Sequence, residues 1–415
     1  MTPVKFLQPR QFDAFRCIAA DCEDTCCVGW IVHVDKATYE KFQSCSDAGF
    51  SPALHALVTI NDYRSTDDDH ARLTLNGATC PFLSEGLCSI QSGLGEDYLP
   101  KMCATYPRVL TRAGEVVHRA LDLSCPEAAR VVLLNPAPME FYEADYDEGA
   151  LRPGTLPTAD ISAIPGVPEP ERLFEEIRRP VISLLQDRSR PTWKRLYRLG
   201  RFCQELDDAI AQHRPVDISR WQHSLLDEAP AEPPINPASQ LEIVLELVVA
   251  RITSDFTPPR FLACYREFMD GIQWTSQSSM DEIGRNYQAA YSRHYVPAMA
   301  AREFMLEHYL VMYAYKTMFP LGTPLTNQRA SIPSGPSPLL VRYMLLIAYY
   351  AITRTMLIGM AGFHKTAFGD NQIVKLVQAS TKTFEHSTTF PRTVINNLAT
   401  RRMTTPESLC SLIRN

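Results

Sequence analysis

Nine of the twelve cysteines fall before residue 126, and four of those lie within the eleven residues Cys17-x4-Cys22-x3-Cys26-Cys27. Cys45, Cys80, Cys88, Cys103 and Cys125 follow, while the rest of the chain holds only Cys203, Cys264 and Cys410. Thiols this close in sequence come together at little loop-closure cost, and longer loops add only a slowly growing term. The first part of the chain must therefore fold around whatever those sulfurs bind or bridge.

The setting decides what such thiols do. The N-terminal run Met1-Thr-Pro-Val-Lys-Phe-Leu-Gln-Pro-Arg10 has no apolar signal core and no small-residue cleavage site, so the expected compartment is the cytosol. Thiols stay reduced there, and clustered cysteines point to metal or redox chemistry rather than a disulfide scaffold. A chain of 415 residues, 45% hydrophobic and 21% charged, can also bury a core without disulfide staples. The net charge of −6, with no run of Lys and Arg, excludes the basic footprint of a nucleic-acid binder.

Secondary structure divides the chain. Over 1–130 the alternating runs Trp30–Asp35 and Arg72–Leu75 predict half-buried strands, with a third over Glu115–Leu123. A short helix over Lys36–Gln43 is expected to start from Asp35 as N-cap, and 65–70 reads as a solvated loop. Seven prolines between Asn135 and Glu171 mark 131–171 as a linker. From 172 to 415 the periodicity is helical. The stripe Trp193, Leu196, Leu199, Phe202, Cys203, Leu206 and Ile210 predicts an amphipathic helix over 192–213. Ser239-x2-Glu242 reads as a capping box opening a helix to about 253. Further helices are expected over 260–272, 281–294, 298–318, 339–361, 370–383, 391–401 and 406–413. Pro-rich breaks fall at 228–237 and 326–338. Arg342 and Arg354 interrupt the apolar run 339–363, leaving too few uncharged residues between them to span a bilayer, so it reads as a buried core helix. The expected fold is mainly α: a helical bundle domain preceded by a small cysteine-rich α+β domain.

Chemistry concentrates in the cysteines. Eight of them, Cys17, Cys22, Cys26, Cys27, Cys80, Cys88, Cys103 and Cys125, are candidate metal ligands, enough for two tetrahedral sites or one cluster with spare partners. Zinc and iron–sulfur centres both accept four thiolates. Paired C-x2-C hooks are absent, and the Cys-Pro pairs at 80 and 125 lean toward iron–sulfur ligation. Adjacent Cys26 and Cys27 are expected to point apart, and Cys45, just after a helix, to be a plain buried thiol. A metal-stabilised mini-domain without catalysis satisfies the same spacing. His33 and His118 read as structural histidines, and Gly93-x-Gly95 as a turn. Glu303, Glu307 and His308 lack the E-x-x-H spacing of a di-iron bundle. H-E-x-x-H, P-loop, G-x-S-x-G and G-x-G-x-x-G motifs are missing.

Phe15-x-Cys17-x4-Cys22-Glu-Asp-Thr-Cys26-Cys27-x-Gly29-Trp30, followed by Cys80-Pro-Phe-Leu, Cys88, Cys103-x2-Tyr106-Pro107 and Cys125-Pro126, resembles the flagellin lysine-N-methylase family of enteric bacteria. The block is also similar to a wider group of cysteine-cluster proteins that bind iron–sulfur or zinc. The methylase resemblance implies transfer of a methyl group from S-adenosylmethionine to surface lysine ε-amines of flagellin, in the cytosol before export. It further implies an oxygen-sensitive 4Fe-4S cluster, with the eight cysteines as its candidate ligands. The common radical pattern C-x3-C-x2-C is not complete, since Gly29 stands where its third cysteine would be. Tyr106 and Asp97 are candidate bases. The alternative is a zinc or iron–sulfur scaffold that docks a protein partner without catalysis. Flagellin is the expected partner and nucleic acid is not; peripheral membrane contact and a homo-oligomer stay open.

Overall fold

This computed structural model describes residues 5–62, 66–144, 159–161, 167, 169–214, 235–322 and 338–415. The protein is mainly α, with a helical body; among the described residues, strands are confined to the first 160. The strands are β1 (Lys5–Pro9), β2 (His33–Val34), β3 (Val58–Ile60), β4 (Ala71–Leu73), β5 (Leu83–Ser84), β6 (Leu87–Cys88), β7 (Arg108–Ala113), β8 (Val116–Leu121), β9 (Phe141–Ala144) and β10 (Ala159–Asp160).

Two units arise from them. A small lobe holds the sheet β2-β4-β3, the β5-β6 hairpin and the helices Lys36–Gln43, Ser51–Leu57 and Ser89–Leu94. Its own core includes Val34, Phe42, Leu54, Val58, Ala71, Phe82, Ile90 and Leu99, together with the buried Cys45. Asp35 closes the lobe as well as capping a helix. Its carboxylate accepts from Thr38 N at 3.1 Å and Thr38 Oγ1 at 2.8 Å, as the N-cap reading expected, and from Lys101 N at 2.9 Å. In the described part of the 65–70 loop Thr66, Asp67 and Asp68 are exposed as expected, while Asp69 pairs with His33 Nδ1 at 2.5 Å and with Asn61 at 2.9 Å.

The second unit is a five-stranded sheet of order β10-β7-β8-β1-β9, in which β1 and β8 run parallel. It packs directly on the helices: Tyr315 donates to Leu7 O at 2.6 Å, and His118 lies edge-on to both Phe174 and Tyr315. One hydrophobic core runs from Leu7 through Leu121, Val132 and Phe174 to Ile413. The core is thus continuous across 131–171. The described parts of that segment include β9 and β10, while 145–158, 162–166 and Pro168 lie outside the described residues, as do nearly all of the 228–237 and 326–338 breaks.

The helices follow the predicted stripes with three adjustments. The helix expected from Ser239 starts earlier, as Pro237–Ser254, because Asn236 supplies the cap at 3.1 Å to Ser239 N and Pro237 fits the first turn. The 281–294 pattern continues into a π-helical turn, Tyr291–Tyr295, since Pro297 offers no N–H to the preceding turn. The 298–318 pattern splits, and its long part is Glu303–Lys316.

At the centre lies Pro338–His364, among the described residues the one helix long and apolar enough to cross a bilayer; 94% of its most apolar stretch is buried inside the protein. It crosses Pro259–Gly271 at backbone contact. A Cβ on Gly271 would sit 1.8 Å from Gly359 O, and one on Gly359 would sit 2.3 Å from the Phe268 ring. Gly359→Val is therefore expected to lower the unfolding free energy by about 1–3 kcal/mol in urea titration.

Two buried imidazoles add a pH term. His308 bonds Val132 O through Nδ1 at 2.9 Å, while its Nε2 is buried without a partner. Burial lowers the pKa of both His308 and His118. Each is neutral in the folded state at a pH where the unfolded chain, titrating near ~6.5, already binds a proton. Stability is then complete above about pH 6.5 and falls as pH drops below it. Equilibrium unfolding between pH 7 and 5 should show this loss, and His308→Asn should flatten it.

A thiol group beside an interlobe cleft

The eight candidate cysteines do not form one group. Cys26, Cys27, Cys80 and Cys88 hydrogen-bond through their sulfurs, with Cys27 common to all three contacts. Those hydrogen bonds raise the pKa of Cys27 and favour thiolates in its neighbours. By this hydrogen bond Cys26 is lowered to about 7, Cys88 to about 6, and Cys80 also falls. Local backbone explains the convergence. Cys80 N bonds Cys27 O at 2.8 Å, joining the Cys17–Cys27 loop to the Cys80–Cys88 segment, and the β5-β6 hairpin carries Cys88 back across Leu83. The expectation that Cys26 and Cys27 point apart is corrected, because their side chains bond each other.

Cys103 stands near this group, on the Lys101–Thr105 helix. Burial, then the charges of Cys26, Cys80 and Cys88, raise its pKa. Cys17, Cys22 and Cys125 form a separate neighbourhood. Burial raises Cys22 and pushes Cys125, at the start of the Pro126–Leu133 helix, up to about 12, while Cys17 is exposed. Cys203, Cys264 and Cys410 are buried in the helical core. Among the described residues, no three Cys, His, Asp or Glu side chains converge in the arrangement of a single bound cation. The donor chemistry is nonetheless uniform. Four neighbouring sulfurs, free of imidazole or carboxylate, suit a thiophilic centre such as zinc or iron–sulfur.

An ion pair fixes this loop to the helical body. Asp24, between Cys22 and Cys26, accepts from Lys382 Nζ at 3.0 Å through both oxygens and from Gln378 Nε2 at 2.8 Å. Lys382 also donates to Thr25 O at 2.7 Å, and Gln378 to Ser124 O at 2.7 Å. Lys382 lies in a π-helical turn, Thr381–Glu385, that widens the end of Asp370–Ser380. Such turns recur at functional sites.

Between lobe and body opens a cleft of about 660 Å³. Trp30 and Tyr106 form its aromatic side, with ring centroids 4.9 Å apart, and His386 lies 6.0 Å from Trp30. Trp30 is tied to the thiol loop by its Nε1 bond to Cys26 O at 2.5 Å. Gly29 also lines the cleft with φ +93°, a conformation that L side chains rarely adopt. The backbone therefore favours glycine where the radical pattern would place a cysteine.

Beneath the cleft sits a buried charge network. Lys316 Nζ donates to Asp122 at 3.0 Å and to Glu385 at 2.7 Å, and His386 Nε2 is 3.3 Å from Asp122 Oδ1. Burial would raise Asp122, but Lys316 and His386 hold its carboxyl well below the usual range. Burial likewise opposes the charge on Lys316, and the two carboxylates overcome it. Because Asp122 stays anionic, it accepts from His386 Nε2–H at 3.3 Å.

Of the two candidate bases, Tyr106 reaches the cleft. Burial, then the Asp122 charge, raises its pKa far above the usual phenol, and its hydroxyl pairs with Ser124 at 2.9 Å. It is a neutral donor rather than a base. Asp97 is exposed on a short turn and does not line the cleft. His33 lines it from β2, whereas His118 is buried beside Glu175. Sequence reading missed Asp24, Asp122, Lys316, Lys382, Glu385 and His386. One signal was present: Gln378, Lys382 and Glu385 recur at helical spacing in a helix whose other face carries Ile373, Val374, Leu376, Val377 and Phe384, a polar stripe on a helix that must be buried.

A family model described as FliB lysine N-methylase C-terminal domain matches residues 178–412. The chain belongs to this family. It is 28% identical over 144 residues to the Flagellar biosynthetic protein FliU of Salmonella muenchen, a match covering 34% of this chain and 85% of that protein. Over 216 residues it is 25% identical to the Lysine-N-methylase of Salmonella typhimurium, covering 50% of this chain and 51% of that protein. The Lysine-N-methylase of Salmonella choleraesuis matches to the same extent. The matched region thus spans about half the length of those two methylases. No solved structure matches. The family region contains the π-helical turn and Lys382, but not the thiol loop that Lys382 binds through Asp24 and Thr25 O.

Lys382→Met should free the Asp24 loop. Metal-free protein carrying this change is expected to react several-fold faster with a thiol reagent at Cys22 and Cys26, with Cys203 still protected. Unchanged rates would mean that the ion pair does not hold the loop.

Proposed function

We propose that this family member transfers a methyl group from S-adenosylmethionine to lysine ε-amines of flagellin in the cytosol, and that the reaction takes place in the interlobe cleft. The observation that carries the reading is that a cleft with an aromatic wall and an oriented imidazole adjoins a group of four sulfurs in a lysine N-methylase family member.

The chemistry sets the requirements. The lone pair of a neutral lysine nitrogen attacks the methyl carbon, the carbon–sulfur bond breaks, and its electron pair stays on sulfur. A lysine ε-amine is only about 0.1% neutral near pH ~7.4, so a proton must leave before attack. His386 is the proposed acceptor, through Nδ1, with Asp122 orienting the ring and stabilising the imidazolium that results. Trp30 and Tyr106 would receive both the sulfonium and the ammonium against their ring faces. The half-closed walls would lower the water content around the amine, which favours its neutral form.

Cys26, Cys27, Cys80 and Cys88 would hold a 4Fe-4S cluster, with Cys103 in reserve beside them. Such a cluster supplies Lewis-acidic or one-electron iron chemistry next to the cleft. Cys17, Cys22 and Cys125 stand apart and would not share ligation with that group. Lys382 and Asp24 would keep the loaded loop against the helical body.

The test is methyl transfer from labelled S-adenosylmethionine to flagellin by anaerobically prepared protein, alongside iron and acid-labile sulfide analysis. Label on flagellin lysines is expected. An intact cluster without transfer would overturn the enzymatic reading, and stoichiometric zinc without sulfide would overturn the iron–sulfur part. His386→Asn should cut the rate by about 10²–10⁴-fold at neutral pH and recover part of it at high pH, where the amine deprotonates unaided. Its iron content should not change.

A further inference from the structure

Away from the cleft, at the other end of the Glu303–Lys316 helix, lies a second cavity of about 590 Å³. Lys316 serves the cleft network while Glu303 lines this cavity. Thirteen residues at 1.5 Å each separate the two, about 20 Å, too far for direct transfer between them.

Four guanidinium groups line the cavity: Arg188, Arg190, Arg195 and Arg354. Arg188 and Arg195 share the buried carboxylate of Glu307, at 2.9 and 3.1 Å, and Arg190 pairs with Asp187. Arg354 differs. Among the described residues no carboxylate lies at ion-pair distance from it. Its guanidinium sits 5.5 and 5.7 Å from the rings of Tyr291 and Tyr295 and donates to the Asn415 side chain. Glu303 faces Arg354 and Arg195 only at longer range, and burial raises its carboxyl pKa. In addition, Nε of Arg195 has no acceptor although the residue is only 4% exposed. A half-buried guanidinium without a counter-ion is costly unless an anion visits it.

The backbone adds donors. The Thr192–Ala211 helix begins at the cavity wall with no side-chain cap, and so does Glu303–Lys316. Lys194 N and Arg195 N already bond Pro191 O, and Met305 N bonds Arg302 O, so the first turns offer chiefly the N–H groups of Thr192, Trp193, Glu303 and Phe304 with the positive end of each helix dipole. The combination of guanidinium forks and helix starts matches the several oxygens of a phosphate better than the two of a carboxylate. The volume greatly exceeds that of inorganic phosphate, and Trp193 and Phe304 give it an apolar side.

We propose that this cavity binds a small phosphate-bearing organic molecule, with Arg354, Arg190 and the first turn of the Thr192–Ala211 helix as its phosphate receptor. The site is independent of the cleft and of the methyl-transfer reading.

Calorimetric titration of the full chain tests it with four probes: adenosine monophosphate, inorganic phosphate, adenosine and S-adenosylmethionine. Adenosine monophosphate should bind, phosphate should bind more weakly and compete with it, and adenosine should give no heat. Arg190→Gln, at the rim, should weaken adenosine monophosphate about tenfold or more, and Arg354→Gln further, while His386→Asn should leave it unchanged. Arg190→Gln keeps the test decisive if Arg354→Gln does not fold. Failure of both phosphate probes to bind, equal binding of adenosine, or wild-type affinity in Arg190→Gln would overturn the proposal. Displacement of adenosine monophosphate by S-adenosylmethionine would overturn it too, because the cavity would then belong to the methyl donor.

Discussion

The contact between Asp24 and Lys382 joins the two halves of this molecule where chemistry is concentrated. A carboxylate in the middle of the thiol loop meets an ammonium from the helical body, with Gln378 as a second donor. Both charges are largely removed from water, which is costly for either alone. The pairing therefore acts less as a source of stability than as a registration device: only one placement of the loop satisfies both groups. The neighbouring Asp122, Lys316 and Glu385 apply the same logic one layer deeper, where an ammonium between two carboxylates fixes the floor on which His386 stands. The π-helical turn Thr381–Glu385 and a glycine in a left-handed conformation, Gly29, make the local backbone compatible with these contacts.

Much of the architecture was legible because period and capping are local. The Asp35 cap, the strands around His33 and Ala71, and the core helix at 338–364 all follow from residues within one turn of each other. The split of the 298–318 pattern and the early start at Asn236 are also local in origin, and were misread because cap and proline signals compete over a few residues. The continuous core across 131–171 was not legible. Prolines there forbid helix, but they do not forbid an edge strand, and β9 at an edge of the sheet uses that freedom.

The candidate site divides in the same way. Spacing alone located the thiols, since they are rare and crowded. It could not sort them, because the sorting depends on pairing between Cys27 and Cys80 and on the hairpin that returns Cys88, contacts set by the fold. Family membership rests on residues 178–412, whereas the sulfurs lie upstream of that region. His386 and Lys382 are where the two meet. A reading based on either half alone would have described a metal hook or a helical bundle, and neither description contains a cleft.

The Asp35–Lys101 contact has a further consequence. Residues 33 to 101 enter and leave the small lobe side by side, tied by that carboxylate and by the His33 amide on Met102 Sδ at 2.9 Å. With its own core and one closed neck, the lobe is a cooperative unit of its own. Its amides can exchange with solvent through an opening that leaves the five-stranded sheet and the helices intact. The molecule therefore carries Cys80 and Cys88 on a part that can loosen and re-form, while Cys26 and Cys27 stay on the loop that Lys382 holds against the helical body.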